Sequence, residues 1–218
     1  VLYSTVGGLR GVIYTDLIQF FVAMVGSIWA TYYIINLEEI GGLGSMLSHS
    51  SVIDKLSFFP SADDTEQFLI VLIIPIAVQW WAVWYPGAEP GGGGYIAQRM
   101  LSAKNEKNAI YSTLLFNVMH YVIRPWPWIL IALSSLILFP NLDSIATAFP
   151  QIDKSIIGND IAYPAMLSLL PKGLLGVVLA SLIAAFMSTI SSRLNWGASY
   201  ISIDFYKRFI KRNASEKE

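Results

Sequence analysis

Four long apolar segments constrain this chain more than any other feature of its sequence. They lie at about 11–36, 67–88, 109–139 and 172–192. A helix needs roughly 20 apolar residues to cross the hydrocarbon core of a bilayer, and each segment is long enough. Because no water reaches that core, the segments must satisfy their backbone polar groups internally, as helices. The sequence therefore predicts an all-α membrane protein with four transmembrane helices, forming a single domain over residues 1–218.

Composition supports a lipid bilayer as the surroundings of the chain. Hydrophobic residues make up 55% and charged residues only 13%, whereas about a quarter of a soluble domain is charged. The net charge of -1 gives no support for a nucleic-acid partner, and the chain has no cysteine for disulfide or thiol chemistry. It begins with Val1 and without the features of a signal peptide, so we expect an internal piece of a longer protein.

Charge alternates along the connections between these segments. Residues 37–66 and 140–171 are mainly acidic, while Arg10, the 95–108 loop and the C-terminal tail are mainly basic. Positive charge marks the cytoplasmic side of a membrane protein, which places Arg10, the loop and the tail in the cytoplasm. We expect a multi-pass protein of the inner (plasma) membrane of the cell. The tail, about 196–212, is basic and amphipathic, which predicts a helix at the lipid surface.

Asp16 stands a few residues inside the first apolar segment, and Gln19 follows one turn later. A carboxylate inside a membrane segment is costly, and it marks an ion or proton path by default. The alternative is that Asp16 lies near enough to the interface to reach water or to pair with Arg10.

The second segment ends in a break, "YPGAEPGGGGY" at 85–95. Prolines remove backbone donors and glycines hold a helix weakly. Broken backbone at membrane depth is tolerated only beside protein or a water-filled cavity, which makes Glu89, Gly87 and Gly91 candidates for the substrate path. The alternative is a loop after a helix that has already crossed.

Three polar residues of the third segment, Asn117, His120 and Arg124, share one face of a helix. Such a face points into a bundle or a cavity. Asn117 is a further candidate for the substrate path, and the alternative for this face is interhelical hydrogen bonding that only holds the bundle together.

The stretch "AAFMSTISSRLN", 184–195, places four hydroxyls in five positions: Ser188, Thr189, Ser191 and Ser192. Serine and threonine often bond to carbonyls of their own helix. With a buried carboxylate elsewhere in the chain we favour a site for a hard cation, which prefers oxygen ligands. Small residues also recur every four positions from Gly176 to Ser192, a pattern that lets another helix approach closely.

Three strings together resemble the sodium:solute symporter family. They are "GGLRGVIYTDLIQ" (7–19), "YIAQRMLSAKN" (95–105), and "AAFMSTISSRLN" followed by "SIDFYKRF". The resemblance implies a core of two inverted five-helix repeats, of which this chain would hold core helices five to eight and the following cytoplasmic helix. The remaining helices of the full-length transporter would then be its partners.

The resemblance also implies a function, the sodium-coupled symport of a small organic solute, with Na⁺ as the only ion. It assigns the conserved sodium site to the Ala185 carbonyl and to the hydroxyls of Ser188 and Thr189. Some members bind a second sodium, and the matching positions are Asp16, Ser188, Ser191 and Ser192.

The chain also departs from its sugar-transporting relatives around the break. Glu89 falls near their aromatic gate, and Asn117 replaces a basic residue that contacts sugar. Sugar contacts therefore do not carry over to this chain.

Two other functions remain open for the sequence. A transporter-like sensor domain of a signalling protein would share the fold, and a proton-coupled carrier would use Asp16 or Glu89 as its proton site. No constellation of nucleophile and base, and no metal-ligand cluster, indicates an enzyme.

Overall fold

The computed structural model describes residues 2–61, 63–79 and 94–215, and these residues form helices without any strand. The all-helical prediction is confirmed for them. The α-helices are α1 Leu2–Ile35, α2 Leu43–Ser48, α3 Ser50–Ile53, α4 Thr65–Phe68, α5 Gly94–Leu101, α6 Glu106–Asn117, α7 Pro125–Leu138, α8 Leu142–Ala148, α9 Ala162–Leu167 and α10 Lys172–Ser199. Wider π-helical turns extend three of them, at Leu69–Ile73 and Pro75–Gln79 after α4, Val118–Ile123 after α6 and Tyr200–Ile210 after α10, and short 3-10 turns occur at Lys154–Ile156 and Asn159–Ile161.

Three helical stretches in the described residues are long and apolar enough to cross a membrane: Gly7–Ile35, Glu106–Leu138 and Lys172–Ile210. They correspond to the first, third and fourth predicted segments. The second predicted segment is helical from Thr65 to Gln79, and its remaining residues lie outside the described part of the chain. The predicted tail helix is continuous with α10, so the fourth segment and the tail form one long helix.

Glycines shape both ends of α1. Gly8 has a φ of 53° and breaks the helical path near its start, a conformation that costs a residue with a side chain but not glycine. At the other end Gly41 and Gly42 have φ values of 74° and 93°. Their amides donate to the Leu37 and Ile35 carbonyls at 2.9 Å each, so the carbonyl of Ile35, the last residue of α1, is satisfied.

The chain divides into two compact units, each made of separate stretches of sequence. Unit 2 comprises 31–97 and 125–169. Its interior contains apolar side chains with no exposed surface, among them Ile34, Met46, Ile131 and Met166. The buried hydroxyls in this unit are bonded: Thr31 donates to the Pro127 carbonyl at 3.1 Å, and Ser134 donates to the Leu130 carbonyl at 2.8 Å.

Unit 1 comprises 1–30, 98–124 and 170–218 and contains most of α1, α6 and α10. Here α1 and α10 approach closely at Gly26, where an added Cβ would lie 2.9 Å from Ser181 Oγ. The predicted stripe of small residues begins at Gly176, where an added Cβ would meet no described atom within 4 Å. The added Cβ of Gly26 would therefore meet Ser181, a residue outside that stripe, whereas Ser188 and Ser192 of the stripe contact Asp16 of α1.

Candidate functional site

A cluster of oxygen atoms surrounds the Asp16 carboxylate in unit 1. Asp16 comes from α1, and its two hydroxyl partners come from α10. Ser188 Oγ donates to Asp16 Oδ1 at 2.8 Å, and Ser192 Oγ donates to Asp16 Oδ2 at 3.1 Å. Ser188 and Ser192 are one helical turn apart, so both hydroxyls reach the same carboxylate. The structure thus brings together three of the four residues predicted for a second ion site.

Arg99 completes this cluster, and its role was missed in the sequence. Its Nη2 donates to Asp16 Oδ2 at 3.0 Å, an ion pair in which Arg99 and Asp16 retain 28% and 21% exposed side chains. The same nitrogen donates to Ser192 Oγ at 2.6 Å. The sequence offered Arg10 as the partner of Asp16, but Arg10 is exposed and the observed ion pair is with Arg99. The string "YIAQRMLSAKN" contains Arg99, which on sequence alone contributes only to the basic charge of the 95–108 loop.

Two of the residues predicted for the conserved sodium site are neighbours in α10. Thr189 Oγ1 donates to the Ala185 carbonyl at 3.1 Å, so these two oxygens are neighbours. Hard cations such as Ca²⁺ hold oxygen ligands at about 2.3–2.6 Å. Two neighbouring ligands of one such ion are therefore roughly 3 Å from each other, as these two oxygens are. The bond is also the backbone bond expected of a threonine in a helix. Ser188, the third predicted ligand, donates instead to Asp16.

The remaining candidate residues are less constrained. Ser191 is buried in α10, and its part in the second site stays a prediction. Glu89, Gly87 and Gly91 lie outside the described residues. Asn117 is the last residue of α6 and is exposed.

The π-helical turn after α6 still keeps two of the predicted polar residues together. His120 Nδ1 and Arg124 Nη1 lie 3.0 Å apart, and the His120 ring stacks on Phe116. This pair is one turn long and local to its own helix.

The residues that could hold an ion are oxygen donors. Among the described residues no group of three or more His, Cys, Asp or Glu side chains could hold a metal ion. One carboxylate with hydroxyls carries little charge for a divalent ion and is better matched to a monovalent hard cation.

Long apolar helices, two of which are joined by hydrogen bonds between a carboxylate and two hydroxyls, define a multi-pass membrane protein. The family comparison is specific: the model of the sodium:solute symporter family matches residues 1–218. The chain therefore belongs to the sodium:solute symporter family, as the three strings predicted.

Individual relatives are similar at about a third of positions. The sodium/glucose cotransporter of Vibrio parahaemolyticus is 31% identical over 99% of this chain and 40% of its own length. The human sodium/myo-inositol cotransporter 2 is 30% identical over 100% of this chain and 34% of its own length. The chain thus spans well under half of the curated relatives that it matches. No solved structure matches it significantly.

Proposed function

We propose that the full-length protein is a sodium-coupled symporter of a small organic solute and not an enzyme. The observation that carries the proposal is the meeting of the Asp16 carboxylate on α1 with the Ser188 and Ser192 hydroxyls on α10. These residues are more than 170 positions apart in sequence, and each helix is apolar enough to cross a bilayer. Polar groups gathered at such a place mark an ion path.

Two ions fit the available ligands. The first site uses the Ala185 carbonyl with the Ser188 and Thr189 hydroxyls, completed by oxygens from core helices outside this chain. The second site uses Asp16 with Ser188, Ser191 and Ser192. A sodium ion at the second site compensates the carboxylate, whose charge is costly to keep in an apolar surrounding.

Coupling then follows from differential affinity. A ligand shifts a conformational equilibrium only by binding one state better than the other. Sodium entering from the outside stabilises a state that binds solute, and its loss on the cytoplasmic side releases both. The proposal places Arg10, the 95–108 loop and the tail in the cytoplasm of a plasma-membrane protein, so Asp16 and Arg99 lie near the cytoplasmic end of their helices.

The solute is a small organic molecule, and its class is the least determined part of the proposal. The relatives are named for glucose and myo-inositol, which makes these two the first solutes to test. The sequence "PGAEPGGGG" nevertheless puts an acidic residue, Glu89, where the sugar-transporting members of the family place an aromatic gate. Together with Asn117, this residue favours a solute whose contacts with the protein differ from those of a hexose.

Uptake by the full-length protein in proteoliposomes tests the function. We expect accumulation of glucose, myo-inositol or another solute of a panel of polyols, amino acids and carboxylates under an inward sodium gradient. Ser188→Ala and Thr189→Ala should each raise the half-saturating sodium concentration about three- to tenfold, since a lost neutral ligand contributes roughly 0.5–1.5 kcal/mol. Uptake driven by a pH gradient without sodium would favour the proton-coupled alternative, and no uptake of any solute would favour the sensor domain.

Single cysteines test the substrate path in this naturally cysteine-free chain. Placed at residues 87–93 of the full-length protein, some should react with a small polar thiol reagent and be protected by the transported solute. Labelling that ignores the solute at every position would leave this stretch as a loop.

A further inference from the structure

One nitrogen of Arg99 lies where the ligands of the second ion site converge. Nη2 is 3.0 Å from Asp16 Oδ2 and 2.6 Å from Ser192 Oγ, and those two oxygens are themselves 3.1 Å apart. The three atoms form a closed triangle. Ser192 can serve both neighbours because its hydroxyl donates to the carboxylate and accepts from the guanidinium. Arg99 therefore uses the same two residues that a second sodium would use.

We propose that Arg99 is a tethered cation that occupies the second ion site and must leave it before sodium binds there. The inference rests on the proposed function, because it assigns a competitor to one of the proposed sodium sites. It adds a specificity-determining residue from α5 to a site otherwise built from α1 and α10.

Charge balance is the first reason for exchange rather than sharing. With Arg99 in place the single carboxylate of the cluster is already neutralised. A sodium ion added beside the guanidinium would bring a second positive charge to the same oxygens, and like charges in a weakly polar surrounding repel strongly. Sodium in place of Arg99 keeps the cluster neutral. Arginine cannot release a proton in a protein, so its charge leaves only when the side chain moves.

The second reason is that the Arg99 side chain is partly exposed and that its helix, α5, can move with it. Its side chain is 28% exposed, so part of it already lies at the surface. The neighbouring residue of α5, Gln98, donates to Asn195 Oδ1 of α10 at a long 3.4 Å. These two contacts hold α5 against α10, and sodium binding removes the stronger of them. Coupling is reciprocal, so contacts that hold α5 in place lower the sodium affinity, and sodium loosens α5.

Sodium binding to the purified full-length protein tests the competition directly, without knowledge of the solute. Radioactive sodium is titrated in detergent, with choline chloride holding the ionic strength constant. If Arg99 leaves the site free in about a tenth of molecules, the apparent affinity is about tenfold below the intrinsic one. Arg99→Gln should then lower the half-saturating sodium concentration of one class of sites about tenfold without changing the number of ions bound. Lys104→Gln, which removes an exposed charge from the same loop, should change nothing.

A double variant separates competition from a structural role. In the Asp16→Asn background the site is weakened for both cations, so Arg99→Gln should no longer improve sodium binding. Arg99→Lys keeps the charge and loses the planar fork, and its half-saturating concentration should lie between wild type and Arg99→Gln. A weaker or unchanged sodium affinity in Arg99→Gln would overturn the proposal and leave Arg99 as a structural ion pair.

A measurement on the unmodified protein guards against a variant that does not fold. Sodium, compared with choline, should speed amide hydrogen exchange in residues 94–101, since α5 loses its main contact. If amide hydrogen exchange is slowed or unchanged while sodium binds, the replacement of Arg99 by sodium is overturned, but the proposed function is not. A wild-type protein that binds no sodium would instead overturn the proposed function.

Discussion

The two units of this chain differ in how many large apolar side chains they bury. Unit 2 encloses apolar residues, such as Ile34, Met46 and Ile131, with no exposed surface. Unit 1 turns large apolar residues outward, with Tyr14 at 69% and Phe186 at 65% exposed. Unit 1 buries fewer large apolar side chains, among them Val12 and Val178, and it also brings together Asp16, Arg99 and two serines.

This contrast indicates different sources of order. The apolar exterior of unit 1 is matched to lipid or to other apolar helices, because an exposed surface of that kind is not stable in water. Its interior adds specific polar contacts around Asp16 to the apolar packing. Unit 2 is held by the packing of apolar side chains. Variants of the unit 2 core should therefore change stability, and variants of the Asp16 cluster in unit 1 should change sodium dependence.

The largest effect should come from Met46→Ala in unit 2. Met46 has no exposed surface, and its sulfur accepts a hydrogen bond from Ser134 Oγ at 3.1 Å. We expect a loss of about 2–5 kcal/mol in the free energy of unfolding, as for other large-to-small core changes. Thermal unfolding of the full-length protein measures it. The protein that remains folded should show the same sodium dependence of uptake as wild type. A changed sodium dependence would contradict the difference between the units.

Asp16→Asn in unit 1 should do the reverse. It keeps the shape of the side chain and removes the charge, so the second site loses an ionic ligand. Such a ligand contributes roughly 1.5–3 kcal/mol, or about ten- to a hundredfold in sodium affinity. We expect the Hill coefficient for sodium to fall from near two toward one and the ratio of sodium to solute to fall with it. These are measured as fluxes in proteoliposomes.

The control for charge is Asp54→Asn, which neutralises an exposed carboxylate of unit 2. It should leave both quantities unchanged. A wild-type ratio of one sodium per solute, or the same ratio in Asp16→Asn, would contradict the two-ion site.

Gly26→Ala tests the packing inside unit 1. A Cβ there would lie 2.9 Å from Ser181 Oγ and 3.0 Å from Ser181 Cβ. Crowding of this kind costs about 1–3 kcal/mol, and the better helix propensity of alanine returns about 1 kcal/mol. We expect a net destabilisation of about 1 kcal/mol by thermal unfolding. The matched variant Gly197→Ala, with no described atom within 4 Å of the added Cβ, should be neutral or stabilising.

The smallest effect concerns alkaline pH and unit 2. Burial raises the pKa of Tyr163, and the neighbouring Trp128 opposes the shift in part. A phenol whose folded pKa exceeds its unfolded value of about 10 favours folding in its neutral form. Its contribution is complete below pH about 10 and is lost as the pH rises toward the folded pKa. Between about pH 9 and 11, on either side of the unperturbed tyrosine pKa, the free energy of unfolding should fall less in Tyr163→Phe than in wild type.

Local features of the fold follow from the sequence alone. Helix positions follow from runs of apolar residues, and the expected segments 11–36 and 109–139 appear as Gly7–Ile35 and Glu106–Leu138. The family was readable from three short strings, and its model covers the chain. The inverted-repeat arrangement and the amphipathic character of the tail stay predictions.

The sequence by itself determined that Asp16 and the serines of α10 are out of place in lipid, because a polar group in an apolar run is costly wherever the chain folds. Only the tertiary structure decided who their partners are. Arg99 is 83 residues from Asp16 and 93 from Ser192, and an added Cβ at Gly26 would meet Ser181, which lies outside the small-residue pattern. A pattern along one helix records which face is polar or small. The rotation and height of the neighbouring helix, set by packing over the whole unit, select the residue that this face meets.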